Sequence, residues 1–404
     1  MKIAVSGLGV ISAIGRAVRE ADGILNPLRR ERGELGPLTL FDTPYAGPVG
    51  QVRLDNRELK AMLGLDPGAA ISRTAMLGMV AAGDALADAG DGAGLRTGLV
   101  SATSTGGMDL TEQFFTEFVR DDSQGRLRNV AGHECADSTR RIAAHCGITG
   151  FTTTVSTACS SAANAIIFGA GLIRRGLVDR VVAGGTDALC RFTLGGFRSL
   201  GILDSEPCRP FDRTRAGLNL GEGAGYIVLQ RDDTLTREPW GYLTGWANAG
   251  DTFHQTASSA TGEGAFRAMA GAIRMAGVQP SDIGYINAHG TATQNNDATE
   301  AAAIERLFGG RPGGPGGPGT VPPFSSTKPF TGHTLAAAGG IEAAIALLAM
   351  RHGFIPPNLN FATPMDETPL VPQTSPRENV EIHHLLSNSF GFGGNNTSLV
   401  FSAR

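Results

Sequence analysis

Residues 152–176, TTTVSTACSSAANAIIFGAGLIRRG, place one cysteine between two elements of different character. The β-branched run that ends at Val155 predicts a strand, and the small and apolar residues from Ser161 onward predict a helix. Cys159 therefore falls at the seam, where the unpaired amides of a first helical turn carry positive partial charge. Such a position lowers the pKa of a thiol, which favours the interpretation of Cys159 as a nucleophile. The alternative interpretation is that Cys159 is a buried structural cysteine.

The same alternation of strand and helix extends over the whole chain. The N-terminal KIAVSGLGVIS predicts a strand that runs into a glycine turn, and further strand and helix patterns follow it. After the polar stretch RDDTLTREPW a second series of the same kind begins. The pattern predicts an α/β protein of two similar halves, residues 1–235 with Cys159 and residues 236–404.

Composition limits the function classes. Charged residues make up 18% and hydrophobic residues 41% of the 404, and the net charge of −4 gives no general attraction to nucleic acid. The five cysteines include no CxxC pair, which favours free thiols and a reducing compartment. The N-terminus does not read as a signal peptide, and no stretch of about 18 apolar residues predicts a membrane span. We therefore expect a cytoplasmic protein without a membrane span.

Three further segments place polar side chains at the ends of predicted strands. His289 follows a strand in INAHGTATQNNDATE, and Lys328 and His333 precede a helix that carries Glu342. A glycine-aromatic turn, SNSFGFGGNNTSLVF, joins two strands near the C-terminus. Because open α/β sheets build their sites at strand ends, these groups and Cys159 are predicted to share one site.

Two other patterns suggest competing sites and are weaker. GLGVIS at residues 7–12 resembles a dinucleotide loop after a strand, but its third glycine is missing. HEC at 133–135 and HC at 145–146 contain metal-binding residue types without the pairwise spacing of a zinc site. We therefore expect neither a nucleotide nor a metal.

Five motifs, in order along nearly the whole chain, resemble those of β-ketoacyl-acyl-carrier-protein synthases. They are STACSSA around Cys159, CRPFDRTRAGLNLGEGAG at 208–225, NAHGTATQNND around His289, STKPFTGHTLAAAGGIEA around His333, and the C-terminal NSFGFGGNNTSLVF. The resemblance implies a thiolase-like fold, in which two similar αβαβα halves form five layers. It also implies a decarboxylative condensation of an acyl group with malonyl-acyl carrier protein.

The resemblance assigns roles to the central residues. Cys159 takes the acyl chain, and the backbone N–H groups of Cys159 and Phe392 form the oxyanion hole. His289 and His333 donate to the enolate oxygen that develops when malonyl thioester loses carbon dioxide. Lys328 and Glu342, also at motif positions, form a charged pair that organises the site.

Further positions along the substrate path follow from the same resemblance. Thr291 and Thr293 contact the pantetheine arm. Phe390 and Gly391 belong, with the oxyanion-hole phenylalanine, to the turn that gates the pocket. Phe197 lies near the acyl entrance, and Thr105 falls where the family controls the depth of the acyl pocket.

The resemblance also implies partners. Acyl and malonyl groups arrive on an acyl carrier protein, whose phosphopantetheine arm makes a separate cofactor unnecessary. A carrier protein is acidic, so docking needs a basic patch, for which Arg73 and Arg198 are candidates. Members of the family form homodimers, or heterodimers with a related subunit.

Several residues depart from the usual family pattern. Gln294 and Asn295 stand where a proline and a smaller residue are common, and Asn395 replaces threonine or histidine. These features are similar to those of synthases of specialised bacterial pathways, including aryl polyene biosynthesis. The resemblance leaves both fatty acid biosynthesis and specialised polyketide biosynthesis open. The glycine- and proline-rich residues 309–319 predict an exposed, mobile loop whose role the sequence does not give.

Two other functions compete with the condensing enzyme. The first is a non-catalytic partner subunit that sets chain length, although such relatives lack the nucleophile that Cys159 supplies. The second is a cysteine thioester hydrolase that uses Cys159 and one histidine. A hydrolase would leave the second histidine, Lys328 and the gating turn without a task.

Overall fold

The structure is a computed structural model that describes residues 1–17, 22–309 and 321–403. The glycine- and proline-rich segment predicted to be a mobile loop lies, from residue 310 onward, outside the described residues. Strands and helices alternate along the described chain, as the sequence pattern predicts.

The described residues form eleven strands and eleven α-helices. The strands are β1 (Ile3–Ser12), β2 (Gly15–Ala17), β3 (Thr97–Ala102), β4 (Thr152–Val155), β5 (Arg180–Asp187), β6 (Gly223–Arg231), β7 (Gly241–Gly250), β8 (Ile283–Asn287), β9 (Phe324–Ser325), β10 (His384–Gly391) and β11 (Asn395–Ser402). The helices are α1 (Asp22–Arg29), α2 (Asn56–Met62), α3 (Arg73–Ala89), α4 (Met108–Arg120), α5 (Cys135–His145), α6 (Ser161–Arg174), α7 (Arg191–Ser199), α8 (Glu263–Ala276), α9 (Gln294–Phe308), α10 (Lys328–Thr331) and α11 (Ala338–His352). Short 3₁₀ helices occur at Leu127–Asn129, Asp232–Thr234, Pro280–Asp282, Leu335–Ala337 and Phe392–Gly394.

The two halves of the chain repeat one strand order. The first half has the order β4-β3-β5-β6-β1 and the second the order β9-β8-β10-β11-β7. In each half the first three strands of this order are parallel and the last two are antiparallel to their neighbours. A short ladder between β1 and β7 joins the two sheets, and the predicted division after residue 235 falls within the connection 232–240.

Helices cover both faces of each sheet and produce five layers. α3 and α5 pack on the outer face of the first sheet, and α8 and α9 lie on the outer side of the second half. α6 and α11 fill the layer between the sheets, where nearly every residue of α11 is buried. This is the layered arrangement expected for two αβαβα halves.

The glycines of GLGVIS lie inside β1 and do not form a turn. A Cβ atom at Gly7 would come within 2.2 Å of the Ala85 carbonyl oxygen in α3, and one at Gly9 within 2.1 Å of the Ala81 carbonyl oxygen. In the second half, a Cβ at Gly245 of β7 would meet an α8 carbonyl at the same 2.1 Å. These glycines allow close helix–strand packing, so the expected glycine turn after the first strand is wrong.

One helical segment among the described residues, Leu335–His352, is long and apolar enough to cross a membrane. No apolar segment of this length was predicted, and the segment includes the charged residues Glu342 and Arg351. The segment lies in the central layer between the two sheets and is almost completely buried there. Its apolar character is therefore that of a core helix that meets protein on all sides.

Candidate active site

Cys159 lies in a tight turn between β4 and α6, at the position predicted from the sequence. The preceding Ala158 has a φ of +54°, a left-handed conformation that is uncommon for a residue with a side chain. The Ser161 hydroxyl donates to the Ala158 carbonyl at 2.5 Å and accepts from the Thr157 N–H at 2.7 Å, which fixes the turn. The turn holds the Cys159 thiol in a buried position, only 6% exposed.

Two histidines from the second half meet this thiol. His289 follows β8, and His333 lies between α10 and the 3₁₀ helix Leu335–Ala337. Ligand-type atoms of Cys159, His289 and His333 all lie within 4.8 Å of one another, and His333 Nε2 is 3.1 Å from the sulfur. The structure therefore unites the three groups that the sequence placed in one site.

Neighbouring donors determine which nitrogen of each imidazole carries the proton. Lys328 Nζ, which can only donate, lies 3.2 Å from His289 Nδ1 and also donates to the His289 carbonyl oxygen at 2.5 Å. The Leu335 N–H donates to His333 Nδ1 at 3.2 Å. Since both Nδ1 atoms accept, a neutral imidazole at either position carries its proton on Nε2.

Burial keeps both imidazoles neutral. It lowers the pKa of His289 and of His333 well below the ordinary 6.5, and the Lys328 ammonium lowers both further. Lys328 itself is buried and pairs with Glu342 Oε1 at 2.5 Å. The site therefore offers two neutral Nε2–H donors near neutral pH.

The pKa of the Cys159 thiol differs from the expectation. Burial raises it to about 11, although the Lys328 ammonium and the backbone N–H of Phe392 act in the opposite direction. The predicted lowering of this pKa at a helix start is wrong for the resting site because the cost of burying a thiolate outweighs the nearby donors.

The predicted oxyanion-hole donors converge on the sulfur. The backbone N–H groups of Cys159 and Phe392 both lower the pKa of the thiol through hydrogen bonds. A Cβ atom at Gly391 would lie 3.0 Å from the Thr157 carbonyl oxygen, so a residue without a side chain suits the close approach of the two turns. The sequence of the glycine-aromatic turn thus brings a second backbone donor beside the thiol.

A cavity of about 390 Å³ opens above the three groups. One wall carries hydroxyl and amide side chains, including Thr291 and Thr293, whose hydroxyls are 2.9 Å apart. The other wall is largely apolar and includes Phe197, whose ring stacks on that of Phe392 at a centroid distance of 6.1 Å. Phe390 and Gly391 complete the lining near the thiol.

Three predicted positions lie elsewhere. Thr105 does not line the cavity, because its hydroxyl donates to the buried Asp187 carboxylate at 3.0 Å. The docking role expected for Arg73 is wrong, since its side chain is 3% exposed and forms two hydrogen bonds to Glu222. Arg198 is exposed in the last turn of α7, beside the cavity-lining residue 197.

Two buried carboxylates of α9, Asp297 and Glu300, support the turn that contains His289. Glu300 accepts hydrogen bonds from the N–H groups of His289 and Gly290 at 2.9 and 2.8 Å, and its pKa rises to about 7 on burial. Asp297 accepts a hydrogen bond from the Ala292 N–H at 3.1 Å. The three-residue spacing of the two acids on one helix is the signal that could have revealed Glu300.

A thiol and two imidazoles are also side chains that bind a zinc ion in other proteins. Here the Lys328 ammonium lies 3.2 Å from one nitrogen of His289, and the pKa of the Cys159 thiol is about 11. A positive neighbour and a protonated thiol both oppose a cation, so the geometry suits proton donation to an oxygen of a substrate better.

Comparisons with known proteins agree on one family. Residues 2–234 match the family described as "Beta-ketoacyl synthase, N-terminal domain", and residues 240–362 match its C-terminal domain. A 3-oxoacyl-[acyl-carrier-protein] synthase 2 of Rhizobium meliloti is 38% identical over 343 residues, 80% of this chain and 79% of the relative. Its counterpart in Staphylococcus aureus strain N315 is 30% identical over 99% of this chain and 98% of the relative.

Two solved structures extend this likeness. The ishigamide ketosynthase/chain length factor superposes with a TM-score of 0.91 at 29% identity, and covers 100% of this chain and 99% of that one. The ketosynthase ApeO, solved in complex with its chain length factor ApeC from Xenorhabdus doucetiae, gives a TM-score of 0.83 at 32% identity over 100% and 98%. Both support the thiolase-like architecture described above.

Proposed function

The chain belongs to the β-ketoacyl synthase family and is a β-ketoacyl-acyl-carrier-protein synthase, and we propose that Cys159, His289 and His333 carry out its condensation. One observation carries the assignment of these residues: a thiol and a ring nitrogen of each of two neutral imidazoles lie within 4.8 Å of one another in the lining of a cavity. The nucleophile comes from the first half of the fold and both donors come from the second.

In the first half-reaction, Cys159 attacks the thioester of an acyl carrier protein. The new bond joins its sulfur to the acyl carbon, the bond to the pantetheine sulfur breaks, and the thiol proton leaves with the free pantetheine thiol. The backbone N–H groups of Cys159 and Phe392 donate to the tetrahedral oxygen, in the manner of an oxyanion hole.

In the second half-reaction, malonyl thioester loses carbon dioxide and its carbon–carbon bonding electrons pass to an enolate. The Nε2–H groups of His289 and His333 donate to the enolate oxygen, and each such donor contributes about 3–4 kcal/mol. The carbanion attacks the acyl carbon and releases the sulfur of Cys159, which regains a proton from solvent. The product is a 3-oxoacyl chain two carbons longer.

Lys328 and Glu342 hold the donors in place and do not exchange protons with the substrate. The Lys328 ammonium fixes His289 through both its Nδ1 and its carbonyl oxygen, and Glu342 neutralises the buried charge. An uncompensated ammonium would be costly in this interior, so the pair acts as a unit.

We propose that both substrates arrive on an acyl carrier protein and that the chain needs no other cofactor. The hydroxyls of Thr291 and Thr293 in the polar wall suit the amides of a pantetheine arm. Arg198, exposed beside the cavity-lining Phe197, offers a charge to an acidic carrier. The stacked rings of Phe197 and Phe392 line the cavity, and this apolar pair suits an acyl chain that enters it.

We propose a specialised polyketide pathway, of the aryl polyene kind, and a related ketosynthase-like subunit as the partner. The solved relatives that pair a ketosynthase with a chain length factor support this choice over a homodimer. β4 ends the strand order of its sheet, and the rings of Phe151 and Phe168 stack beside it in exposed positions. An open edge and an aromatic pair suit a large subunit interface.

All five cysteines are free, which supports a cytoplasmic location.

Incubation of the purified chain with acyl- and malonyl-carrier proteins, followed by mass spectrometry of the carrier-bound products, tests the function. We expect a 3-oxoacyl chain two carbons longer than the primer, with and without a related subunit added. Release of free acid without extension would instead support a hydrolase. Activity that depends wholly on the nucleophile of an added subunit would support a non-catalytic partner role.

A further inference from the structure

Asp187, the last residue of β5, gathers two segments that are far apart in the sequence. It is fully buried and accepts hydrogen bonds from the Thr103 hydroxyl at 2.6 Å and from the Ser104 and Thr105 N–H groups at 3.0 and 3.1 Å. Its other oxygen accepts from the Ala336 N–H at 2.8 Å. One carboxylate of the first half therefore binds a turn of the second half.

That turn is the one that presents His333. Leu335, between His333 and Ala336, has a φ of +51°, a conformation that a branched side chain rarely adopts. In this conformation the Leu335 N–H reaches His333 Nδ1 at 3.2 Å. The bond from the next N–H to Asp187 holds the backbone in this unfavourable conformation.

We propose that Asp187 is a positioning residue that fixes the proton of His333 on Nε2 by holding the Leu335–Ala337 turn. The proposal rests on the proposed function of the site and deepens it. A carboxylate suits this place because it only accepts hydrogen bonds, and every group that faces it here is a donor. An Asn side chain would turn an NH₂ group toward those donors.

The first test compares partial reactions in Asp187→Asn. Displacement of His333 by about an ångström is expected to reduce malonyl decarboxylation about 10²-fold. Acylation of Cys159 depends on the backbone donors and is expected to stay within about threefold. Thr103→Val is the matched control, because it removes a side-chain donor to Asp187 and leaves the Ala336 bond intact. Equal loss of both partial reactions in Asp187→Asn would overturn the proposal.

The second test measures the tautomer of His333 in the resting protein and does not depend on activity. In ¹⁵N-histidine-labelled enzyme, with the His333 signal identified by its loss in His333→Ala, the wild type should give the chemical shifts of an Nε2–H tautomer. Asp187→Asn should move this signal toward a mixture of tautomers, while the His289 signal stays. An unchanged His333 signal would refute the proposal, whereas a wild type that failed to condense would refute only the proposed function.

Leu335→Gly keeps the proposal open to test should Asp187→Asn not fold. Glycine accepts a positive φ without strain and lets the turn relax to other conformations. The His333 signal should then broaden or shift in the same direction as in Asp187→Asn, with Asp187 itself unchanged. A sharp wild-type signal in Leu335→Gly would show that the turn needs no support, and the proposal would be wrong.

Discussion

The turn after β3 and the turn after β8 hold corresponding places in the two halves, yet only the second carries an imidazole into the cavity. After β3, the hydroxyls of Thr103 and Thr105 turn toward Asp187 and away from the cavity. After β8, Glu300 holds the backbone by two N–H groups and His289 points into the cavity. The two halves thus have corresponding turns that are both held by a carboxylate. Their side chains determine that only the turn after β8 contributes a group to the cavity.

The turns after β4 and β9 differ in the same way. The first presents Cys159, and the second leads to Lys328 and His333. One half therefore provides the nucleophile and the other provides the proton donors, so neither half holds a complete site. Substitutions in the two halves should consequently block different steps of one reaction.

Loss of the nucleophile should have the largest effect. Cys159→Ala removes the only atom that can hold the acyl chain in the proposed mechanism, and condensation should fall by about 10⁶-fold, as for other nucleophile knock-outs. Intact-protein mass spectrometry should then detect no acyl adduct. Cys190→Ala is the matched control, since that thiol is buried beside Thr193 and does not line the cavity. A stable adduct on Cys159→Ala would place the nucleophile elsewhere.

Removal of the buried cation should mainly reduce stability. Lys328→Met leaves the Glu342 carboxylate buried without its partner, and the free energy of unfolding should fall by about 3–5 kcal/mol. Denaturant unfolding measures the change. Glu342→Gln combined with Lys328→Met should recover part of the loss, because the unpaired charge is then gone. No difference between the single and the double variant would show that the pair is not coupled.

The two histidines should separate the partial reactions. His289→Ala and His333→Ala should each still accept an acyl group on Cys159 but lose about 10²–10³-fold in decarboxylation, the usual effect of one missing oxyanion donor. Release of labelled carbon dioxide from malonyl carrier protein gives the rate. His384→Ala, on β10 and bonded to Ser402, serves as the control. If either cavity variant decarboxylated at the wild-type rate, its histidine would not be a donor.

Much of the fold was predictable because its signals are local. The β-branched run before Val155, the apolar spacing of α3 and the glycine after it each act within one element. Cys159 and His289 were also predictable, since their motifs place chemistry directly after a strand. In each case a single short segment contains both the cause and the result.

The remaining features depend on residues distant in the sequence. Arg73 pairs with Glu222 across 149 positions, and Asp187 meets Ala336 across the same separation. No local pattern shows that an arginine at a helix start will be buried against such a partner. The sequence also could not weigh burial against local donors at Cys159, and the direction of its pKa shift was therefore wrong.

The reactivity of the Cys159 thiol tests directly whether burial or the local donors determine its pKa. The expected effect is the smallest of those predicted here. With a pKa of about 11, the thiolate fraction of Cys159 in the resting enzyme increases about tenfold for each pH unit between 7 and 9. The rate of alkylation by iodoacetamide should rise in the same proportion and level off only near pH 11. A rate that was already level at pH 7 would mean that the backbone donors and Lys328 outweigh burial, as the sequence alone suggested. A thiol that stays protonated in the resting enzyme must lose its proton during acyl transfer. The pH dependence of alkylation therefore also shows whether Cys159 is already a thiolate in the resting enzyme or becomes one only when the substrate binds.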